Sequence, residues 1–122
     1  MVFFVKGVHT MTIKKLTPKE LHEKLLGDDK AVVLDVRAEE KYNEFHIEES
    51  RNIPKTFIFE MEEKEGNPPL ALPRDREVIV TCTTGNSAAK CAKILDAHNY
   101  DVTVLDGGLT AWKDYLHSLE DK

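Results

Sequence analysis

Three short apolar runs, Ala31-Val32-Val33-Leu34, Val78-Ile79-Val80-Thr81 and Val102-Thr103-Val104-Leu105, constrain the fold of this chain more than any other feature. The first is continuous, as expected of a strand covered on both faces, the second reads as the central strand, and Val102, Val104 and Leu105 form the last. Between them lie segments whose apolar residues recur at helical spacing. Strands that alternate with helices predict an α/β fold with a mainly parallel sheet. At 122 residues the chain is long enough for one such domain and too short for two.

The remaining elements follow from local signals. Thr12-Ile13-Lys14-Lys15-Leu16 reads as a short edge strand. Thr17-Pro18-Lys19-Glu20 then forms a capping box with proline at the first helical position, and Gly27 stops the helix. Leu21, Leu25 and Leu26 are expected to form its buried face. A polar helical turn is expected from Ala38 to Asn43, and a short strand at Arg51-Asn52-Ile53 that Pro54 ends. Phe57, Phe59 and Met61 are expected to anchor a short helix or irregular segment. Gly66-Asn67-Pro68-Pro69 and Pro73 mark a loop. Ala88, Cys91, Ala92 and Leu95 share one helical stripe; Leu109, Trp112, Leu116 and Leu119 share another, after a tight Gly107-Gly108 turn. The domain is expected to span residues 12–119. Residues 1–11 read as an N-terminal extension, with Met11 as a natural start and residues 1–10 dispensable.

Several function classes are disfavoured. The net charge is −5 and the lysines are dispersed, so the basic stripe of a nucleic-acid binder is absent. No apolar run approaches the roughly 20 residues that span a bilayer. The five histidines are scattered, and Cys82 and Cys91 form no CxxC pair, so no zinc site is expected. Two thiols nine positions apart make no disulfide framework, which fits a reducing cytoplasm.

Cys82 is where chemistry is expected. It follows the apolar strand 78–81 and precedes a helix, at the strand end where open α/β sheets bind ligands. The connecting residues Thr83, Thr84, Gly85, Asn86 and Ser87 are small, so successive N–H groups can turn inward as an anion-binding nest. The helix adds free N–H groups and the positive end of its dipole. Such a bowl favours a thiolate, and any anion carried on that sulfur, such as a persulfide. Cys91, on the apolar helical stripe, reads as a small core residue. A Cys82–Cys91 disulfide is not expected at that separation.

Several stretches in register resemble one family. Cys82-Thr83-Thr84-Gly85-Asn86-Ser87 is similar to the active-site loop of rhodaneses. Leu34-Asp35-Val36-Arg37 resembles the family's N-terminal signature, and His46-Ile47 with Asn52-Ile53-Pro54 resembles its "GHIPGAINIP" segment. Val104-Leu105-Asp106-Gly107-Gly108-Leu109 with Trp112 is similar to its C-terminal signature. The resemblance covers about residues 12–117. It implies a three-layer, five-stranded, mainly parallel sheet flanked by helices, and a sulfurtransferase that works through a Cys82 persulfide. The donor would be a small sulfur-containing anion such as thiosulfate, and the acceptor cyanide, a thiol or a protein. The N–H groups of Thr83 to Ser87 would hold the transferred sulfur, and Asp35 would orient the loop by accepting N–H bonds. No cofactor or metal is implied, and no nucleic-acid or membrane partner.

The departures are specific. Phe45 stands where the family has glycine before His46, and Glu48-Glu49 where it has Pro-Gly. Ser87 takes a position that is often arginine, and no arginine follows Arg76, so the loop itself carries no cation. Arg37 is expected to pair with nearby glutamates, and His46 and Trp112 to be structural. Other functions remain in view. A phosphatase would need arginine where Ala88 stands. The main alternative is a non-catalytic or sulfur-relay module that binds a protein partner, of which the non-catalytic kind usually lacks the cysteine; a redox sensor would need a resolving thiol near Cys82.

Overall fold

The computed structural model describes residues 13–27, 30–62 and 72–120. The N-terminal extension, Thr12 and the Gly66–Pro69 loop signal lie outside them. In chain order the elements are β1 (Lys14–Leu16), α1 (Pro18–Leu26), β2 (Val32–Asp35), α2 (Glu39–Glu44), β3 (Arg51–Asn52) and α3 (Lys55–Phe59). A 3₁₀ turn at Glu60–Glu62, β4 (Glu77–Thr81), α4 (Asn86–Ala97), β5 (Asp101–Leu105) and α5 (Gly108–Glu120) complete them. The five strands form one sheet in the order β1-β5-β4-β2-β3, and every pairing is parallel.

The central strand is β4, which pairs with β2 through Val80 and Leu34 and with β5 through Val80 and Val104. Side chains alternate across a strand, and that alternation divides the core in two. Val32, Leu34, Val78 and Val80 face α3 and α4, where they meet Ile58, Cys91 and Leu95. Val33 and Ile79 face the other way, against Leu21, Leu109 and Trp112 of α1 and α5. Both faces of β2 and β4 are therefore covered, which is why their sequences read as unbroken apolar runs. Cys82 falls two residues past Val80 and so turns to the α4 face.

The capping box forms as its sequence dictates: Thr17 Oγ1 accepts from the Glu20 amide at 3.1 Å, and Glu20 Oε1 accepts from the Thr17 amide at 2.8 Å. The expected apolar face of α1 needs correction. Leu21 is fully buried, but Leu25 is 38% and Leu26 75% exposed. The inner stripe is shared by Leu21 and His22, whose ring stands edge-on to Trp112 and Tyr115 of α5 and whose Nδ1 lies 2.8 Å from the Tyr115 hydroxyl. At α3 the anchor is Ile58 together with Met61, while Phe57 is 57% exposed. Phe59 packs partly against the same cluster, so two of the three expected anchors, Phe59 and Met61, meet the core, and Ile58 takes the place of Phe57. Leu119, at the end of α5, is also exposed.

Candidate active site

The segment 82–87 turns sharply because Gly85 takes φ +108°, a left-handed value that residues with a Cβ rarely adopt. The turn aims two main-chain amides at one atom. Gly85 N–H donates to Cys82 Sγ at 3.0 Å, and Ala88 N–H, in the first turn of α4, donates at 3.3 Å. Sγ therefore lies at a helix N-terminus, where unpaired N–H groups and the helix dipole favour negative charge.

The back of the loop is fixed by α5. Leu109 N–H donates to Cys82 O at 2.9 Å and Thr110 N–H to Thr83 O at 3.0 Å. Gly108 makes this approach possible: with φ +61°, a Cβ there would stand 2.5 Å from Cys82 O and 2.6 Å from Thr83 O. The Gly107-Gly108-Leu109 segment thus clamps the Cys82 and Thr83 carbonyls to α5, while the Gly85 and Ala88 amides point to the sulfur.

Cys82 is 5% exposed and sits in the wall of a cavity of about 400 Å³. Thr83, Thr84, Asn86 and Ser87 line one side. Val36, Arg37, Ala38, Lys41 and Lys55 line the other. The structure thus gathers four of the five loop residues singled out from the sequence around the cavity, and gives the fifth, Gly85, an amide bond to sulfur. The second sulfur-directed amide belongs to Ala88, just past the expected Thr83–Ser87 set; helix geometry, in which the first turn has free N–H groups, is the signal that identifies it. Cys91, fully buried one helical stripe away, has its thiol pushed up to about 12, first by burial and then by the charge at Cys82.

Of the two roles open to Asp35, orienting the loop or capping its own strand end, its hydrogen bonds match the cap. Its carboxylate accepts from the Arg37 amide at 3.0 Å and from Arg37 Nε at 3.0 Å and Nη2 at 2.8 Å, so its bonds run to the opposite wall of the cavity and not to the Cys82 loop. The strand end points the carboxylate back over residue 37, within reach of a bidentate guanidinium. Arg37 correspondingly pairs with Asp35 and the Phe45 carbonyl, and not with the neighbouring glutamates. Asn52, from β3, ties this wall down by donating to Asp35 O and Arg37 O at 3.0 and 2.9 Å.

The lysines at the cavity were not legible from motifs. Lys41 comes from α2 and Lys55 from the start of α3, where its amide donates to Val36 O at 2.9 Å. Lys55 Nζ also lies 3.4 Å from Ser87 Oγ. His46 stands outside the cavity lining, stacked on Tyr42 with ring centroids 3.8 Å apart. The Glu48-Glu49 turn keeps a glycine-like shape, since Glu49 adopts φ +67°. Among the described residues there is no cluster of three His, Cys, Asp or Glu side chains suited to a metal, and no helix long and apolar enough to cross a membrane.

The chain resembles several known proteins over most of its length. The chain is 34% identical over 98 residues to MoeZ of Mycobacterium tuberculosis, named a probable adenylyltransferase/sulfurtransferase; the match takes in 80% of this chain and only 24% of MoeZ. It is 31% identical over 101 residues to GlpE of Pseudomonas fluorescens, named a thiosulfate sulfurtransferase, covering 82% of this chain and 84% of GlpE. The crystal structure of a rhodanese-like domain protein from Staphylococcus aureus superposes with a TM-score of 0.70 at 26% identity, over 82% of this chain and 91% of that one. The family model of the rhodanese-like domain matches residues 17–115, from the cap of α1 to the middle of α5 and across the whole Cys82 loop, and the chain belongs to that family.

Proposed function

We propose that this protein is a sulfurtransferase that carries sulfane sulfur as a persulfide on Cys82. The Cys82 thiolate attacks the outer sulfur of thiosulfate. A new S–S bond forms, the sulfur–sulfur bond of the donor breaks, and its electron pair leaves with sulfite. In the second half-reaction an acceptor attacks the terminal sulfur and the Cys82 thiolate departs with the pair: cyanide becomes thiocyanate, or a thiol becomes a persulfide. Every species held at the loop is an anion on sulfur, so one fixed set of donors serves the whole cycle without a general base.

The observation that carries this reading is the convergence of the Gly85 and Ala88 amides on Sγ at the N-terminus of α4. Thr83, Thr84, Asn86 and Ser87 would surround the transferred sulfur and the rest of the donor. Asp35 would act on the site through Arg37, holding the far wall in place. The two free thiols suit a reducing compartment such as the cytoplasm.

Intact-mass measurement tests the reading. After incubation with thiosulfate the wild-type chain is expected to gain one sulfur, about 32 Da, which cyanide removes as thiocyanate. Cys82→Ser is expected to gain nothing. A wild-type chain that stays unmodified while binding a partner protein would make the domain a non-catalytic binding module instead.

A further inference from the structure

The loop around Cys82 holds sulfur with main-chain amides, but it has no charged side chain from Thr83 to Ser87. A dianionic donor such as thiosulfate carries charge on its outer sulfur and also on the oxygens remote from it, and those oxygens need a cation from elsewhere. Three cations line the cavity, and they are not equivalent. The Arg37 guanidinium is committed to the Asp35 carboxylate and the Phe45 carbonyl. Lys41 Nζ has Glu44 Oε1 at 4.0 Å, so part of its field is cancelled. Lys55 differs: among the described residues no carboxylate pairs with it, and its ammonium stands 3.4 Å from Ser87 Oγ, on the rim of the loop itself. Its backbone is fixed as well, since its amide is bonded to Val36 O and α3 is anchored by buried Ile58. Its charge is felt further in, where it opposes the upward shift of the Cys91 thiol.

We propose that Lys55, acting with the Ser87 hydroxyl, is the donor-selecting cation of this site: it binds the remote anionic oxygens of a doubly charged sulfane-sulfur donor and favours such donors over singly charged ones. The inference rests on the sulfurtransferase reading above and assigns its specificity to a residue outside the Cys82 loop. A lysine serves here as a point charge on a flexible stem, so it can follow the donor in and the sulfite out.

Steady-state kinetics with thiosulfate and with a singly charged thiosulfonate separate the possibilities, with persulfide formation at saturating donor read by intact mass. Lys55→Gln is expected to raise KM for thiosulfate about tenfold with kcat little changed, to raise KM for the thiosulfonate no more than about threefold, and still to load one sulfur at saturation. Lys55→Arg is expected to restore most of the thiosulfate KM. Raising ionic strength from roughly 0.1 M to 1 M, which shortens the screening length from about 10 Å to about 3 Å, is expected to raise the wild-type KM for thiosulfate and leave that of Lys55→Gln nearly flat. An unchanged thiosulfate KM in Lys55→Gln, or an equal rise for both donors, overturns the assignment while leaving the sulfurtransferase reading intact. A wild-type chain that no donor can sulfurate overturns both.

Discussion

Gly108 shows how much of this site depends on a single missing methyl group. Its backbone takes φ +61°, and the place where a Cβ would go already holds the carbonyl oxygens of Cys82 and Thr83, 2.5 and 2.6 Å away. Both neighbours are backbone, so neither can swing aside. A methyl group there must push α5 off the loop, breaking the Leu109 and Thr110 bonds that hold it. Gly108→Ala is expected to cost about 2–4 kcal/mol of stability, from the left-handed backbone and the overpacking together. It is also expected to slow persulfide formation at saturating thiosulfate, because the amides of Gly85 and Ala88 lose their aim. Denaturant unfolding and single-turnover sulfuration measure the two effects separately. Gly85 bears on the same geometry from the other side, since its φ of +108° is what brings its own N–H onto the sulfur.

At the level of elements, the turn between α2 and β3 carries a strain that the rest of the fold sustains. Glu49 sits at φ +67°, a region that costs a residue with a side chain roughly 1–2 kcal/mol. Glycine there would relieve the strain but give back about 0.5–1 kcal/mol through the freedom of its unfolded chain. Glu49→Gly is therefore expected to stabilise the protein by about 0.5–1 kcal/mol, read as a rise in the denaturation midpoint with the slope unchanged; a loss of stability would mean that the Glu49 side chain makes a compensating contact. This turn also illustrates what was legible in the sequence. The strands were, because burial on both faces leaves an unbroken apolar run, and so was the cap of α1, because Thr17 and Glu20 satisfy each other locally. The turn of the Cys82 loop was legible because Gly85 and the first turn of α4 lie next to Cys82 in the chain, whereas the clamp from α5 that holds its carbonyls is a contact between elements. What local pattern could not give were the contacts between elements. Leu25 and Leu26 looked buried because helical spacing cannot tell which side meets α5, and His22 took that place. Phe57 looked like an anchor on size alone, while Ile58 faces the sheet. Sequence proximity favours the nearby glutamates as partners of Arg37, but Asp35, two residues back, lies in better geometry. Lys41 and Lys55 reach the site from α2 and α3, far from Cys82 in the chain, and carry no motif of their own.

At the scale of the whole molecule, the two cysteines show one core meeting two opposite demands. The sheet ends Cys82 at a cluster of amides, while α4 drives Cys91 into the apolar layer between itself and β4, fully buried. Burial raises the Cys91 thiol from its ordinary 9.0 to about 12; the nearby charge at Cys82 adds to the shift and Lys55 opposes it. The consequence for stability has a definite sign. Below pH 9 the thiol is protonated in both folded and unfolded chains and contributes no pH dependence. Above pH 9 the unfolded chain releases this proton and the folded one retains it, so the unfolded state gains and stability falls with rising pH. The slope from this one group approaches about 1.4 kcal/mol per pH unit until the folded thiol itself ionises near 12. Lysines and tyrosines titrate in the same range, and comparison with Cys91→Ala removes their common contribution. Urea unfolding at pH 8, 9, 10 and 11 is expected to show the wild type losing its advantage over Cys91→Ala steadily above pH 9, while the difference between the two stays constant below it. A difference that holds level through pH 11 would mean that Cys91 ionises as easily in the fold as out of it, and that the layer between α4 and the sheet admits a charge that the close apolar packing around Ala88, Ala92 and Leu95 argues it cannot.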